Sequence, residues 1–173
     1  MKPILFTLVA LAVPAFSQST VKDSLIQHWK ITGDFTVKVA EAMPADNYSF
    51  RPVPEEMSFG QLMAHIGAAD LGACVAVSGM QRPDEPAKIA AWRKDQKLDV
   101  DRASAVEYLH LVFNFCNKAL EATTWEKFDA KVANTQLTGF ERYWSYFTHT
   151  AHHRGQAEVY LRLKGITPPT YVF

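Results

Sequence analysis

The densest group of reactive side chains is Thr148-His149-Thr150-Ala151-His152-His153-Arg154-Gly155-Gln156, with three of the chain's six histidines. His149 and His153 are four residues apart. On a helix they leave one face, stacked a turn apart. Two imidazoles so placed can reach one metal ion at about 2.0–2.1 Å each. His149 and His152, three apart, form a second pairing that helical geometry also allows. Two ligands from one helix rarely hold a metal tightly, so a third must come from elsewhere. His65 is the candidate, in Leu62-Met63-Ala64-His65-Ile66-Gly67. Its helical neighbours Ala68, Ala69, Gly72 and Ala76 are small and leave room beside it. Of the others, His28 reads as surface and His110 as structural.

Three imidazoles leave a coordination position open, the arrangement of catalytic rather than structural zinc sites. All-nitrogen ligation also suits nickel, copper or iron; zinc is the metal expected. Its chemistry there would be Lewis-acid activation of water, a carbonyl or a thiol. Hydrolysis and group transfer also need a proton carrier, and no carboxylate is clearly placed for that role. Asp70 follows His65 by five residues and turns away from its face. Glu158 lies across its helix from His149. Ser145, His149, His153, Gln156 and Tyr160 share one polar face, on which Gln156 and Tyr160 could orient a ligand. Arg154 reads as a surface or loop-bracing residue. No catalytic residue is assigned, and without a proton carrier a non-catalytic metal- or small-ligand-binding helical bundle stands as the alternative to a metal-dependent enzyme.

Such a site needs helices, and the sequence marks four starts. A Ser or Thr followed three residues later by Glu or Gln ties up free amides at a helix N-terminus. Ser58 with Gln61, Ser104 with Glu107 and Thr138 with Glu141 fit this pattern; Thr20 with Asp23 is a weaker version. The helices expected are 21–43, 59–78, 105–122 and 139–164. Leu25, Trp29, Thr32, Val39 and Met43 form the inward stripe of the first; Val106, Leu109, Phe113, Cys116 and Leu120 that of the third. Pro44, Gly79 and Gly165 are the stops. Residues 44–57 read as an extended loop. Short helices are expected near 86–94 and 125–130, and no strand. Four amphipathic helices imply an all-α four-helix bundle, which places its sites between facing helices.

Residues 1–17 stand apart. Lys2 precedes an apolar run from Ile4 to Val13, then the small-flanked Ala15-Phe16-Ser17. That is the layout of a cleavable signal peptide, too short for a span of about 20 residues. Residues 18–173 then form one domain, exported to the periplasm or beyond the cell. No second long apolar run is expected, hence no stable membrane span. Lys plus Arg equals Asp plus Glu, 18 against 18, which gives no electrostatic footprint for nucleic acid. Cys74 and Cys116 lie in apolar helical surroundings and read as two buried thiols in preference to a bridge. Phe140, Trp144, Phe147 and Ala151 make the opposite face of the last helix apolar, which suits core packing or a homodimer contact equally.

Three segments carry a family resemblance. Ser58-Phe59-Gly60-Gln61-Leu62-Met63-Ala64-His65-Ile66 resembles the second-helix histidine motif of the DinB-like superfamily, which includes the YfiT-type metal-dependent hydrolases. His149 to Gln156 resembles its H-x-x-x-H-R-G-Q segment. Arg162-Leu163-Lys164-Gly165-Ile166-Thr167-Pro168-Pro169 resembles the tail that follows, and Pro44 to Pro52 its first interhelical loop. The resemblance implies an up-down-down-up bundle with one metal on His65, His149 and His153, with His153 favoured over His152. It also implies a bacterial protein and a homodimer. The family it points to includes metal-dependent hydrolases, thiol-dependent transferases and isomerases, and many members with no known activity, so the resemblance implies little about the reaction. An exported member would not meet cytosolic thiols.

Overall fold

The computed structural model describes residues 16–172, with side chains from Val21 onward. The leader assigned to residues 1–17 lies almost wholly outside them. The described chain is helical, with no strand and one isolated bridge between Lys131 and Thr138. Its helices are α1 (Phe16–Ala42), α2 (Phe59–Ser78), α3 (Ala87–Lys94), α4 (Arg102–Ala122), α5 (Trp125–Asp129) and α6 (Gly139–Leu163). Among the long ones, α2 packs on α4 and α6, and α1 on the same two.

Local chemistry explains most of these boundaries. Ser58 and Gln61 form a full capping box on α2, and Thr138 and Glu141 form one on α6. Each satisfies two amides that a helix start leaves free. Gly79 and Gly165 take left-handed conformations at the stops of α2 and α6 (φ 71° and 72°), where a Cβ would be strained.

Two starts differ from expectation. The cap of α4 is Asp101, whose carboxylate accepts from Ser104 N at 2.9 Å; the helix therefore begins before Ser104. α1 begins at Phe16, so Thr20 lies inside it.

The core runs along the expected stripes. Leu25, Trp29, Thr32, Val39 and Met43 of α1 are buried, as are Leu109, Phe113, Cys116 and Leu120 of α4, while Val106 is half-buried. Removing the large apolar ones among them (Leu, Trp, Val, Met and Phe) from water contributes roughly 1.5–3 kcal/mol each. Close approach depends on a glycine: a Cβ on Gly67 would sit 2.8 Å from the Tyr108 ring, so α2 and α4 meet almost backbone to side chain.

α2 corrects the expectation of no second apolar run. Over 18 of its 20 residues the mean hydropathy is 1.2, enough by length and composition to cross a membrane. Two thirds of it is buried inside the protein, and it carries His65 and Asp70, so its composition is that of a central core helix. A second correction concerns the cysteines: Cys74 of α2 and Cys116 of α4 are joined in a disulfide, with Cα atoms 5.4 Å apart. Both lie in the apolar interface as expected, but the contact between the helices brings them within bonding reach.

Arg154 is not a surface residue. It is 6% exposed, its guanidinium lies 4.6 Å from the Phe35 ring, and it donates to Thr32 O and Thr36 Oγ1 at 3.4 and 3.5 Å. It fastens α6 to α1.

Asp70 is fully buried, with the Thr150 hydroxyl 2.9 and 2.8 Å from its two oxygens. A hydroxyl has one proton, so it donates to only one oxygen at a time. Burial pushes the Asp70 carboxyl up to about 8, against a lowering by the Thr150 hydrogen bond. The unfolded chain ionises this group at about pH 4, so folding takes up a proton between there and pH 8. Its stabilising contribution is thus complete below about pH 4 and lost as pH rises toward 8. Asp70→Asn should remove that slope. In urea unfolding at pH 5 and pH 8, the wild type should lose stability relative to the variant by on the order of several kcal/mol; parallel pH dependences would contradict this.

Candidate metal centre

α2 delivers a half-buried His65 to its contact with α6, and α6 delivers His149 and His153 from successive turns. His65 Nε2 lies 3.2 Å from His149 Nε2 and 3.2 Å from His153 Nε2. Ligand nitrogens of all three rings fall within 4.8 Å of one another, so the group could hold a metal ion. Two nitrogens bound tetrahedrally at about 2.05 Å would be roughly 3.3 Å apart, close to the observed spacing.

The donor chemistry fits a cation. Gln156 Oε1, an acceptor only, lies 2.7 Å from His153 Nδ1. The proton therefore sits on Nδ1, and neutral His153 turns a lone pair on Nε2 toward His65 and His149. One proton can relieve one such contact, not three converging nitrogens; a metal ion satisfies all of them. His149 Nδ1 is buried and has no hydrogen-bond partner.

The surroundings keep the rings neutral. His149 is pushed down to about 4, first by burial and then by its neighbours His153, His65 and His152. His65 is lowered by burial and by His153. His153 is lowered by burial, against the raising effects of its Gln156 hydrogen bond and the Glu56 carboxylate. Neutral imidazole is the ligating form.

The other expected residues separate. His152 is exposed, with Nε2 3.4 Å from Gln156 Nε2, and is not one of the converging three. His110 is exposed and 3.9 Å from Glu41, a surface position rather than a structural one. His28 is half-buried beside Phe140, Trp144 and Phe147 rather than on open surface. Tyr160 donates to Met57 O at 3.1 Å and so braces the loop before α2. Glu158 faces Arg154 and Arg162 at 4.0 and 3.8 Å. Glu56 is the carboxylate whose charge acts on the cluster.

Sequence reasoning passed over Arg142 and Tyr146. They continue the face of His149 and His153 toward the helix start, at spacings of four, three and four, which was the available signal. The Arg142 guanidinium lies 4.5 Å from the Tyr146 ring, and that ring lies 5.5 Å from the His149 ring.

Comparison with known proteins agrees with this frame. A DinB-like protein from Bacillus subtilis is 24% identical, with a TM-score of 0.66 over 86% of this chain and 96% of that one. A DinB-like protein from Bacillus cereus is 17% identical, with a TM-score of 0.69 over 87% and 97%. At these identities the likeness is one of fold. No curated protein matches the chain. The family model described as DinB superfamily matches residues 28–157, well over half the sequence and inclusive of all three histidines, and the chain belongs to that superfamily.

Proposed function

We propose that this protein is an exported, metal-dependent four-helix bundle of up-down-down-up topology, acting as a hydrolase or transferase on a small molecule. Residues 1–17 are its leader and 18–173 its single domain. His65, His149 and His153 are the ligands, and zinc is the metal, with nickel and iron fitting the same donors. The observation that carries this reading is the convergence of three Nε2 atoms, with His65 Nε2 3.2 Å from each of the other two. Bound there, the metal would supply Lewis-acid polarisation at its open position. The chain's own residues do the rest. Gln156 fixes the His153 ring, and burial keeps the ligands unprotonated. The disulfide between Cys74 and Cys116 supports export, since such bonds persist in oxidising compartments.

Cobalt titration tests the site. One equivalent should give the intense visible absorption of a low-coordinate complex, and azide should change it through the open position. Gln156→Ala should weaken cobalt affinity by roughly 10–100-fold, the usual effect of losing a hydrogen bond to a ligand. A weak octahedral spectrum, unchanged by azide, would contradict an open three-histidine site.

The homodimer belongs to the same reading. Trp144 is 50% exposed and stacks between Phe140 and Phe147, at centroid distances of 6.2 and 5.7 Å. These rings line an apolar groove of about 300 Å³ with Val21 and Leu25. A monomer by sedimentation at micromolar concentration would remove this part.

A further inference from the structure

We infer that the face of α6 leading to the histidines is an oxyanion-binding trough, with Arg142 as the residue that receives a carboxylate or phosphate of the substrate. This rests on the proposed metal site and names the class of molecule presented to it.

Three observations carry it. First, Arg142 is half-buried, its Nε is buried with no hydrogen-bond partner, and no carboxylate pairs with it among the described residues. Its terminal nitrogens, which are not buried, make no hydrogen bond to the described residues, and their planar fork matches a carboxylate or phosphate. Arg154, the other arginine of this region, is already committed to α1.

Second, Arg142 shares the face of the histidines. Its guanidinium lies over Tyr146, one turn nearer the histidines, and the Tyr146 ring adjoins His149. Cation, ring and ligand follow one another along a single helical face. Seven residues of helix rise about 10 Å from Arg142 to His149, a span that the Tyr146 ring bridges by touching both. A small molecule held by its anionic end would therefore have its other end near the metal.

Third, the opposite wall is open. A Cβ on Gly139 would lie 2.9 Å from Val77, while His65 meets His149 and His153, so α2 and α6 run antiparallel. Gly72 and Ala69, on the His65 face of α2, consequently lie opposite the stretch around 142–146. A Cβ on Gly72 would meet nothing within 4 Å. Both residues are small, so their wall leaves space where a substrate body would lie.

The test is calorimetric titration of the full chain with benzoate, phenyl phosphate and benzyl alcohol, with metal content measured on every sample. At least one anion should bind ten-fold or more tightly than the alcohol, and which one does so decides between carboxylate and phosphate. Arg142→Gln should erase that preference with metal content unchanged, and Arg142→Lys should keep part of it. The Arg142 Nε–H resonance of the wild type should also shift on anion binding, a readout that needs no variant. Equal binding of anion and alcohol, no binding of any probe, or an anion preference that survives Arg142→Gln would each overturn the assignment. A preference erased by Arg142→Gln in protein that holds no metal would instead contradict the metal reading and leave the oxyanion site standing.

Discussion

Zinc added to metal-free protein should raise its Tm steeply, and His153→Ala should abolish the rise. A ligand that binds only the folded chain stabilises it by about 4 kcal/mol when present at 1,000 times its Kd. For a chain of this size that corresponds to a rise of roughly 8–16 °C. The folded protein presents converging neutral imidazoles, whereas the unfolded chain does not bring His65 to α6, so binding is strongly selective. Scanning calorimetry with and without zinc measures the shift. His152→Ala is the control: His152 is exposed and outside the cluster, so this variant should shift like the wild type. Loss of the shift in His152→Ala and its survival in His153→Ala would reverse the ligand assignment. A wild type indifferent to zinc would leave three half-buried histidines without a cation.

The second large effect concerns the disulfide. Cys74 and Cys116 are 42 residues apart in sequence and join α2 to α4. Closing a loop of that length removes unfolded-state entropy worth about 4 kcal/mol in the chain-entropy model. The double replacement Cys74→Ala with Cys116→Ala should therefore lower Tm by roughly 8–16 °C, and reduction of the wild type after unfolding should reproduce the loss. Both sulfurs are fully buried, so the native protein should resist reduction until it opens. A double variant as stable as the wild type would show that the helix contact alone carries this interface. Because α2 also bears His65, the variant reports whether the bridge steadies the metal site: zinc affinity should fall less than stability does, since α6 anchors α2 independently through the Thr150–Asp70 contact.

What was legible in the sequence was local. The boxes at Ser58 and Thr138 act within four residues, and they marked the starts of α2 and α6. Helical spacing likewise gave the buried stripe of α1 and placed His149 and His153 on one face. The short helices α3 and α5 were visible from their proline and tryptophan boundaries. Where two local signals competed, sequence could not arbitrate: Asp101 and Ser104 are both capping residues, and the cap falls on the one that lets Arg102 and Ala103 join α4.

The rest depended on which helix faces which. Two cysteines in apolar helices look the same as thiols or as a bridge until α2 and α4 are set side by side. Arg154 adjoins the histidine motif in sequence, but a turn of helix aims it at Phe35 and Thr32 instead. Tyr160 shares the polar face but spends its hydroxyl on Met57 O. Arg142 was overlooked because an unpaired guanidinium is defined by the absence of nearby carboxylates, which spacing along one helix does not reveal.

In the proposed metal centre, His65 of α2 and His149 and His153 of α6 hold one ion between them. Metal content per chain, by plasma mass spectrometry on protein purified without an affinity tag, tests it most directly alongside His65→Ala. His65 is the variant to choose because it alone comes from the second helix. About one zinc, nickel or iron per chain in the wild type and none in the variant is the expected result. No metal in the wild type and none taken up on titration, or full retention in His65→Ala, would contradict it.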